Sequence, residues 1–250
     1  MSRRAEGIPL GSLCLWLFNM HVTAIVVSAG EGRRLGGSLP KPYLPIADRP
    51  MILRTLDRCF AARSIDDVIL VVAAVELARC EALLLGDAAL RQRPWRLQSG
   101  GATRQGSVKR GLEKIGLNTD IVVIHDGARP LVSPLLIDRC VELTNEKGAV
   151  VVGVPVHDTI KLVSEDRWVL STPDRSALWE IQTPQVFRRD LILEAHRWAM
   201  QKRIEATDDA MLVERMGERV FLVEGDRSNL KITVPEDLLF AEALIQAGRV

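Results

Sequence analysis

The hydrophobic positions of the chain fall into short apolar runs that alternate with stretches of helical spacing. The runs have the length of buried strands, and they lie at 24–27, 68–73, 95–97, 121–124 and 149–154. Between them, apolar residues recur at helical spacing over 51–62, 76–85, 108–115 and 134–146. Such an alternation predicts an α/β fold, with a mostly parallel sheet that is covered by helices on both faces.

The alternation breaks between about residues 155 and 184. Helical periodicity is poor there, and short alternating segments occur at 159–163 and 168–170, so we expect a protruding β-arm. Apolar surface on such an arm can be covered by a second subunit, which predicts a homodimer. The strand–helix pattern then returns, with helices at 191–200, 208–216 and 235–247 and strands at 220–223 and 230–232. Thr233 and Glu236 have the spacing of a capping box before the last helix.

Length and composition indicate one domain. The chain has 250 residues, of which 47% are hydrophobic, and this is enough for a full core. We expect residues 21–250 to form a single domain that includes the arm. Residues 1–20 are expected to be a loose tail or a mis-assigned start, with Met20 as the suspected natural beginning. The apolar patch at 13–18 is too short for a membrane span and lacks a convincing cleavage site.

Charge and cysteine usage exclude several classes of function. The net charge of +1 gives no bulk electrostatic reason to bind nucleic acid or a membrane surface. The four cysteines are dispersed, and none has the spacing of a zinc site with the equally scattered histidines. Dispersed thiols are typical of buried positions in a reducing cytosol. Any anionic ligand must therefore be bound by local positive charge.

A glycine-rich loop with basic residues follows the first strand. The segment Ala24–Lys41 combines several glycines with Arg33, Arg34 and Lys41. Glycines bring backbone N–H groups close to a ligand, and the cations add fixed charge, so the loop suits a polyphosphate. It is not a Walker A loop, because no Gly-Lys pair occurs, and Leu35 occupies the third glycine position of a dinucleotide fingerprint. A solvated glycine-rich turn remains the alternative.

Other charged residues stand where strands are expected to end. Asp126 follows the strand at 121–124 and could hold Mg²⁺ or a sugar hydroxyl, although aspartate also caps turns. Arg129 precedes a proline, Arg175 lies in the expected arm, and Lys231 is the only charge of a short strand. Each could equally be a surface or edge residue. Gly100 and Gly101 with Ser107 offer polar groups to a base, or simply a helix entry.

Eight motifs occur in order along the chain: SAGEGRR, LPK, GGATRQGSV, HDGARP, DRSALW, QTPQVF, ATDDA and SNLKITVPEDL. Together they resemble the 2-C-methyl-D-erythritol 4-phosphate cytidylyltransferases of the non-mevalonate isoprenoid pathway. The resemblance extends from about Val22 to the C-terminus. Each motif alone is weak evidence, but eight in register are specific.

The resemblance implies a Rossmann-like fold, a homodimer formed through the β-arm, a cytoplasmic location and Mg²⁺ as cofactor. Enzymes of this family transfer CMP from CTP to methylerythritol 4-phosphate and release pyrophosphate. The nucleophile is an already ionised phosphate, so positioning and fixed cations matter more than a general base.

The resemblance also implies roles for individual residues. Arg34, Lys41, Arg175 and Lys231 would be catalytic, with Arg175 reaching the partner subunit's site. The residues that bind CTP would be Ser28, Ala29, Gly30, Gly32, Gly101, Arg104 and Ser107. The residues that bind methylerythritol phosphate would be Asp126, Gly127, Arg129, Thr159, Thr183 and Thr207, and Asp126 would also hold the metal.

Several departures from the family pattern leave alternatives open. Pro42 stands where the family usually has Gln, and Ser28 and Gly127 replace commoner alanines. The rivals are a CTP-dependent ribitol 5-phosphate cytidylyltransferase, an enzyme that uses a sugar 1-phosphate, and a non-catalytic nucleotide-binding paralogue. The DRSALW motif favours methylerythritol phosphate over ribitol phosphate, and the retained cations argue against a non-catalytic role.

Overall fold

A computed structural model describes residues 20–30 and 39–250 of the chain. The expected N-terminal tail therefore lies almost entirely outside the described residues, and so do Gly32 and Arg34 of the glycine-rich loop. Within the described ranges, no helix has the length and apolar character needed to cross a membrane.

The described residues form strands and helices that alternate through most of the chain. The strands are β1 (His21–Ser28), β2 (Pro45–Ile46), β3 (Arg49–Pro50), β4 (Asp67–Val72), β5 (Trp95–Ser99), β6 (Thr119–Asp126), β7 (Ala149–Pro155), β8 (Leu162–Val163), β9 (Val169–Ser171), β10 (Trp179–Arg188) and β11 (Phe221–Glu224). The α-helices are α1 (Met51–Ala61), α2 (Leu77–Gly86), α3 (Arg104–Leu112), α4 (Pro134–Lys147), α5 (Arg189–Lys202), α6 (Ala210–Arg215) and α7 (Pro235–Gln246).

Seven of the described strands form one central sheet in the order β11-β7-β10-β6-β1-β4-β5. The pairs β11–β7, β6–β1, β1–β4 and β4–β5 are parallel, whereas β10 runs antiparallel to both of its neighbours. The predicted mostly parallel sheet is therefore confirmed. It also follows that the carboxyl ends of β1, β4, β5, β6, β7 and β11 lie along one edge of the sheet.

Helices cover both faces of the sheet and enclose two apolar layers. One layer contains Val22, Ala24 and Val26 of β1 with buried side chains of α1, α2 and α4. The other contains Ile25 of β1 with buried side chains of α3, α5 and α6. Successive residues of β1 thus serve opposite faces, as the pleat requires. A strand that is buried on both faces needs the continuous apolar run seen in the sequence.

The segment 155–184 differs from the expectation in one important respect. Strand β10 occupies its second part and lies inside the central sheet rather than in an arm. The sequence did not predict this strand, because buried polar residues such as Gln182 and Gln185 interrupt its apolar pattern. Strands β8 and β9 form a separate two-stranded antiparallel sheet of exposed residues. That the segment protrudes as an arm stays a prediction.

Two local predictions near the C-terminus are wrong. Residues 230–232 form no strand. Within the described chain, Ile232 is the only one of the three whose N–H donates a hydrogen bond to a backbone carbonyl, that of Ala128 at 2.8 Å. The cap of α7 comes from Asp237 rather than Glu236. The Asp237 carboxylate accepts hydrogen bonds from the Thr233 N–H at 2.6 Å and the Val234 N–H at 2.9 Å. The acidic residue one position later has the better reach to both orphan donors.

Helix α3 packs closely on the sheet because it contains Gly111. A Cβ atom at this position would lie 2.6 Å from the Ile25 Cγ2 and 3.2 Å from the Val71 Cγ2. Both are core atoms of β1 and β4, so they cannot move away without disturbing the sheet. The close approach matters for function, because α3 begins at Arg104, beside the edge where the strands end.

We predict that Gly111→Ala destabilises the protein, because its methyl group overpacks the core. Overpacking of this kind costs about 1–3 kcal/mol. Urea unfolding should show a lower midpoint with an unchanged slope. Gly86→Ala is the matched control, since a Cβ there meets no atom within 4 Å, and its midpoint should stay the same or rise slightly. Equal midpoints for Gly111→Ala and the wild type would contradict the packing argument.

Candidate active site

A cleft of about 360 Å³ opens beside the carboxyl ends of β1 and β6. Ser28 is the last residue of β1, and Asp126 is the last residue of the neighbouring β6. Ligands of open α/β sheets bind beyond such strand ends. Most of the candidates from the sequence meet here, since the cleft is lined by Ser28, Ala29, Gly30, Lys41, Gly101, Arg104, Ser107, Asp126 and Lys231.

The turn between β5 and α3 forms one wall of the cleft. Thr103 is the N-cap of α3, and its hydroxyl accepts from the Gly106 N–H at 3.0 Å. The Ser107 hydroxyl accepts from the Gly101 N–H at 3.1 Å and donates to the Thr103 carbonyl at 2.9 Å. A Cβ at Gly101 would lie 2.8 Å from the Gly106 carbonyl carbon, so only glycine fits. The turn therefore begins helix α3, and its hydrogen bonds also fix the conformation of this wall of the cleft.

Asp126 is held between two cations at the base of the cleft. Its Oδ1 is 3.1 Å from the Arg104 Nε, and its Oδ2 is 2.7 Å from the Lys231 Nζ. Burial alone would raise the pKa of Asp126, but the charges and hydrogen bonds of Arg104 and Lys231 outweigh it and hold the pKa well below its usual range. The carboxylate therefore stays ionised and fixes the positions of both cations.

Arg104 also contacts a second buried carboxylate, Asp209, which the sequence analysis did not single out. The Arg104 Nη1 is 2.7 Å from the Asp209 Oδ2, and the His196 Nε2 is 3.1 Å from the Asp209 Oδ1. Burial opposes ionisation of Asp209, but His196 and Arg104 outweigh it and lower the pKa of the carboxyl. Arg104 is thus held by two carboxylates, and these ion pairs restrict the movement of its guanidinium group when a ligand binds.

Hydrogen bonds between the motifs QTPQVF and ATDDA hold Asp209 in position. The Gln185 side-chain oxygen accepts from the backbone N–H of Asp209 at 3.0 Å and of Ala210 at 3.3 Å. Its amide nitrogen donates to the Asp208 carboxylate at 2.7 Å. The position of Asp209 in the motif ATDDA is the feature of the sequence that could have identified it. The sequence does not indicate which of the two aspartates in this motif is buried.

Lys231 reaches the cleft from an irregular segment rather than from a strand. The following residue, Ile232, is fully buried in a small apolar cluster, and its N–H donates to the Ala128 carbonyl. This anchors the segment to the turn that follows Asp126. The alternation that suggested a strand is real, since Ile232 is buried beside an exposed Lys231. However, the Ile232 N–H donates to a carbonyl of a turn rather than to a neighbouring strand.

A second cavity of about 260 Å³ adjoins the cleft at Lys231. Its lining includes Arg129, which is buried, and Arg227. The Arg129 Nη1 donates to the Asn229 carbonyl at 2.6 Å, while its buried Nε has no hydrogen-bond partner among the described residues. Burial lowers the pKa of Arg129, although an arginine remains charged at neutral pH. Lys231 therefore lies on the boundary between two spaces whose linings both contain further cations, and the lining of the second also contains Glu180.

The remaining candidates among the described residues do not line the cleft. Gly127 supports it from beneath, because its N–H donates to the Val27 carbonyl at 2.8 Å. Thr183 is buried behind Asp126 and is hydrogen-bonded to its backbone. The exposed residues Thr159, Arg175 and Thr207 lie outside the lining of either cavity, and Arg175 donates to the His157 carbonyl at 2.6 Å. Gly32 and Arg34 fall outside the described residues.

None of the cysteines in the described part of the chain lines the cleft. The described thiols Cys59, Cys80 and Cys140 are all buried and free. Burial raises the pKa of Cys59 and of Cys140 to about 12 and that of Cys80 to about 11. They remain protonated at neutral pH, so they are poor nucleophiles. Within residues 20–30 and 39–250, no three His, Cys, Asp or Glu side chains cluster to hold a metal by themselves.

Comparison with known proteins gives one consistent result. The family model for 2-C-methyl-D-erythritol 4-phosphate cytidylyltransferase (IspD) matches residues 22–247. A protein of that name from Caldanaerobacter subterraneus is 43% identical over 227 residues, which cover 91% of this chain and 100% of the relative. One from Syntrophotalea carbinolica is 45% identical over 227 residues, which cover 90% of this chain and 97% of the relative.

Solved structures agree with the sequence comparison. The 4-diphosphocytidyl-2C-methyl-D-erythritol synthase from Anaerococcus prevotii superposes with a TM-score of 0.80 at 30% identity, covering 91% of this chain and 99% of that one. The 2-C-methyl-D-erythritol 4-phosphate cytidylyltransferase from Thermus thermophilus has a TM-score of 0.70 at 35% identity, with coverage of 91% and 100%. Fold and sequence therefore point to the same group of proteins.

We predict that Asp209→Asn destabilises the protein at pH 7 by about 3 kcal/mol, because Arg104 loses a buried counter-charge. The effect should depend on pH. The folded pKa of Asp209 is lowered, so its stabilising charge acts fully above the unfolded pKa of about 3.9 and is lost as the pH falls towards the folded pKa. Denaturant unfolding at a series of pH values should show this difference shrinking below about pH 4.

The matched control is Asp190→Asn, because the Asp190 side chain is 94% exposed. Its change in unfolding free energy should stay within about 0.5 kcal/mol at every pH. A difference between wild type and Asp209→Asn that is the same at neutral and acid pH would show that the lost charge is not the cause.

Proposed function

This chain belongs to the 2-C-methyl-D-erythritol 4-phosphate cytidylyltransferase family, and from that premise we propose how its residues carry out the reaction. Membership confirms the resemblance drawn from the eight motifs. The reaction is the transfer of CMP from CTP to the phosphate of methylerythritol 4-phosphate, with release of pyrophosphate, in isoprenoid synthesis. The proposal concerns which groups of this chain hold the two substrates and what those groups do.

The observation that carries the proposal is the position of Lys231 in the lining of both cavities, each of which contains further cations and one carboxylate. The reaction joins two anions, and their mutual repulsion must be overcome before any bond can form. A cation at the boundary can attract the acceptor phosphate and the α-phosphate of CTP together. Because Asp126 holds the Lys231 ammonium group at 2.7 Å, the charge is placed before the substrates arrive.

The first cavity suits the nucleotide. The backbone of Ser28, Ala29 and Gly30 follows β1 and offers N–H groups to the triphosphate. Lys41 lies in a one-turn 3₁₀ helix with a proline on each side, so its backbone is stiff. We infer that Lys41 contacts the phosphates together with Arg34. Gly101, Arg104 and Ser107 form the opposite wall, where the backbone of the turn can read the cytosine.

The second cavity suits the acceptor. Arg129 and Lys231 supply fixed positive charge to its lining. Methylerythritol 4-phosphate is a small dianion, so two or three cations suffice to bind its phosphate. We infer that this phosphate attacks the α-phosphate of CTP in line with the departing pyrophosphate. Its oxygen is already ionised, so the attack needs no side chain as general base.

Negative charge on the reacting phosphate is then stabilised by cationic groups that are in position before the reaction. Lys41 and Lys231 are placed by a stiff turn and by an ion pair, respectively. Preorganised donors of this kind act without reorganisation at the moment of reaction. Loss of one such group typically lowers the rate on the order of 10²–10³-fold. This explains why the described lining of the cleft contains Lys and Arg but no cysteine or histidine.

We also propose Mg²⁺ as cofactor, with Asp126 as its protein ligand. Magnesium commonly binds one or two carboxylates and completes its shell with substrate phosphates and water. Asp126 fits this role because it is ionised, and each of its oxygens keeps a lone pair beyond the bond to its cation. Bound there, the ion would supply positive charge to the triphosphate.

The homodimer remains part of the proposal. Large apolar side chains are exposed on and around β8 and β9, namely Ile160, Leu162, Val163, Trp168, Val169 and Leu170. Exposed apolar surface of this extent is typical of an interface. We infer that a second copy covers it and that residues 21–250 act as one unit within that dimer. Arg175 and Thr159 belong to the same segment, so they could complete the partner's acceptor cavity.

The experiment that tests the proposed function is pyrophosphate release with CTP and Mg²⁺. We expect release with methylerythritol 4-phosphate, and none with ribitol 5-phosphate or without an acceptor, because the second cavity must recognise the acceptor. Release with ribitol 5-phosphate alone would overturn the acceptor assignment while leaving the nucleotide cleft intact. CTP binding without release from either acceptor would favour a non-catalytic paralogue.

A further inference from the structure

His125 precedes Asp126 on β6, and no part of the mechanism above uses it. Its side chain is completely buried, so it touches neither substrate space. Both ring nitrogens are nevertheless hydrogen-bonded. The Nδ1 lies 3.0 Å from the Thr183 hydroxyl, and the Nε2 lies 3.1 Å from the Arg129 carbonyl. A buried imidazole that is hydrogen-bonded at both nitrogens, next to the carboxylate of the active site, can hold the neighbouring backbone in place.

The directions of these hydrogen bonds follow from their partners. The Arg129 carbonyl can only accept, so the proton must be on Nε2 of His125. The Thr183 hydroxyl already accepts from the Asp126 N–H at 3.0 Å, and among the described residues the acceptor within reach of its own proton is Nδ1 of His125. Nδ1 must then accept from the Thr183 hydroxyl.

The result is a directed relay that connects the two ends of one turn. It runs from the Asp126 N–H through the Thr183 hydroxyl to the ring of His125, and from the ring to the Arg129 carbonyl. The turn between these residues carries the carboxylate that places Lys231 and the guanidinium that lines the second cavity. The Arg129 N–H also donates to the Asp126 carbonyl at 2.9 Å, which closes the turn on itself.

Thr183 reaches Asp126 because β10 is irregular at this point. The pairing of β10 with β7 shifts between Gln182 and Gln185, so two residues of β10 stand outside the ladder. Irregularities of this kind redirect a side chain and occur beside active sites. A substrate-binding role for Thr183 stays a prediction. Within the protein, its hydroxyl donates one hydrogen bond and accepts another.

We propose that His125 is a positioning residue: through Thr183 it fixes the backbone of Asp126, and directly it fixes the backbone of Arg129. This inference rests on the proposed function, because it assigns the two ends of the turn to the two substrate spaces. A displacement of about 1 Å in a positioned group can cost as much as 10²-fold in rate. The relay therefore controls turnover without any contact with the reacting atoms.

Paired variants test the relay. Thr183→Val removes the hydroxyl at nearly constant volume, and His125→Asn keeps an acceptor for Thr183 but loses the donor to Arg129. We expect each to lower kcat by about 10- to 100-fold and to change the KM for CTP less than threefold. The double variant should lose less than the product of the two single losses, because both break one unit. Thr183→Ser should restore kcat to within threefold.

The control for a merely structural effect is Thr144→Val. The Thr144 hydroxyl is also buried and donates to the Cys140 carbonyl at 2.7 Å, but it lies on α4, away from both cavities. This variant should lose stability like Thr183→Val and keep kcat within twofold. Folded Thr183→Val and His125→Asn proteins with kcat within twofold of wild type would overturn the proposal. So would single losses that multiply fully, since these would indicate independent roles.

A readout without turnover separates this inference from the proposed function. Nitrogen-15 NMR of the histidine rings should show His125 with a slowly exchanging proton on Nε2 and a bare Nδ1, and Thr183→Val should shift the Nδ1 resonance. A proton on Nδ1 would overturn the relay even in an active enzyme. Absence of pyrophosphate release from wild type would instead refute the proposed function, while the NMR result would still decide the relay.

Discussion

The contact of the Asp126 carboxylate with Arg104 and Lys231 is the interaction on which the rest of the site depends. An ionised carboxylate at the base of a cleft is costly to desolvate unless cations compensate it. Here Arg104 and Lys231 compensate the charge of Asp126, and the same two ion pairs hold these cations in position. The same charge therefore stabilises the base of the cleft and prepares it for phosphate. Removal of the carboxylate would take away the ion pair that holds Lys231 and would leave Arg104 held by Asp209.

The fold brings these three residues together from distant parts of the sequence. Asp126 ends β6 in the middle of the sheet, and Arg104 begins a helix that approaches closely because of Gly111. Lys231 stands on a segment that is anchored to the turn after Asp126 by a backbone hydrogen bond. A parallel sheet assembles such sites readily, because the ends of its strands share one edge. The cleft is thus a consequence of topology, and its charge is a consequence of a few side chains.

Much of this arrangement could be predicted from the sequence, and the failures have physical causes. Apolar runs and helical spacing identify elements that are buried in the ordinary way, and the glycine-rich turns and strand-end charges indicate a phosphate site. Strand β10 was missed because its buried glutamines are satisfied by tertiary hydrogen bonds, which no local pattern reveals. Asp209 was missed for the same reason. The strand expected around Lys231 is a segment bound to a turn, and burial of Ile232 alone produces the same alternation.

The most direct test of this account is the turnover of Lys231→Met, which keeps an unbranched side chain only one atom shorter and removes its charge. We expect kcat to fall on the order of 10²–10³-fold while CTP binding changes little, because the lost charge acts between the two substrates. The exposed Lys114, beyond the end of α3 that lies away from the cleft, provides the control Lys114→Met, which should keep full activity. A Lys231→Met protein with near-normal kcat would contradict the claim that a cation fixed by Asp126 joins the two substrates.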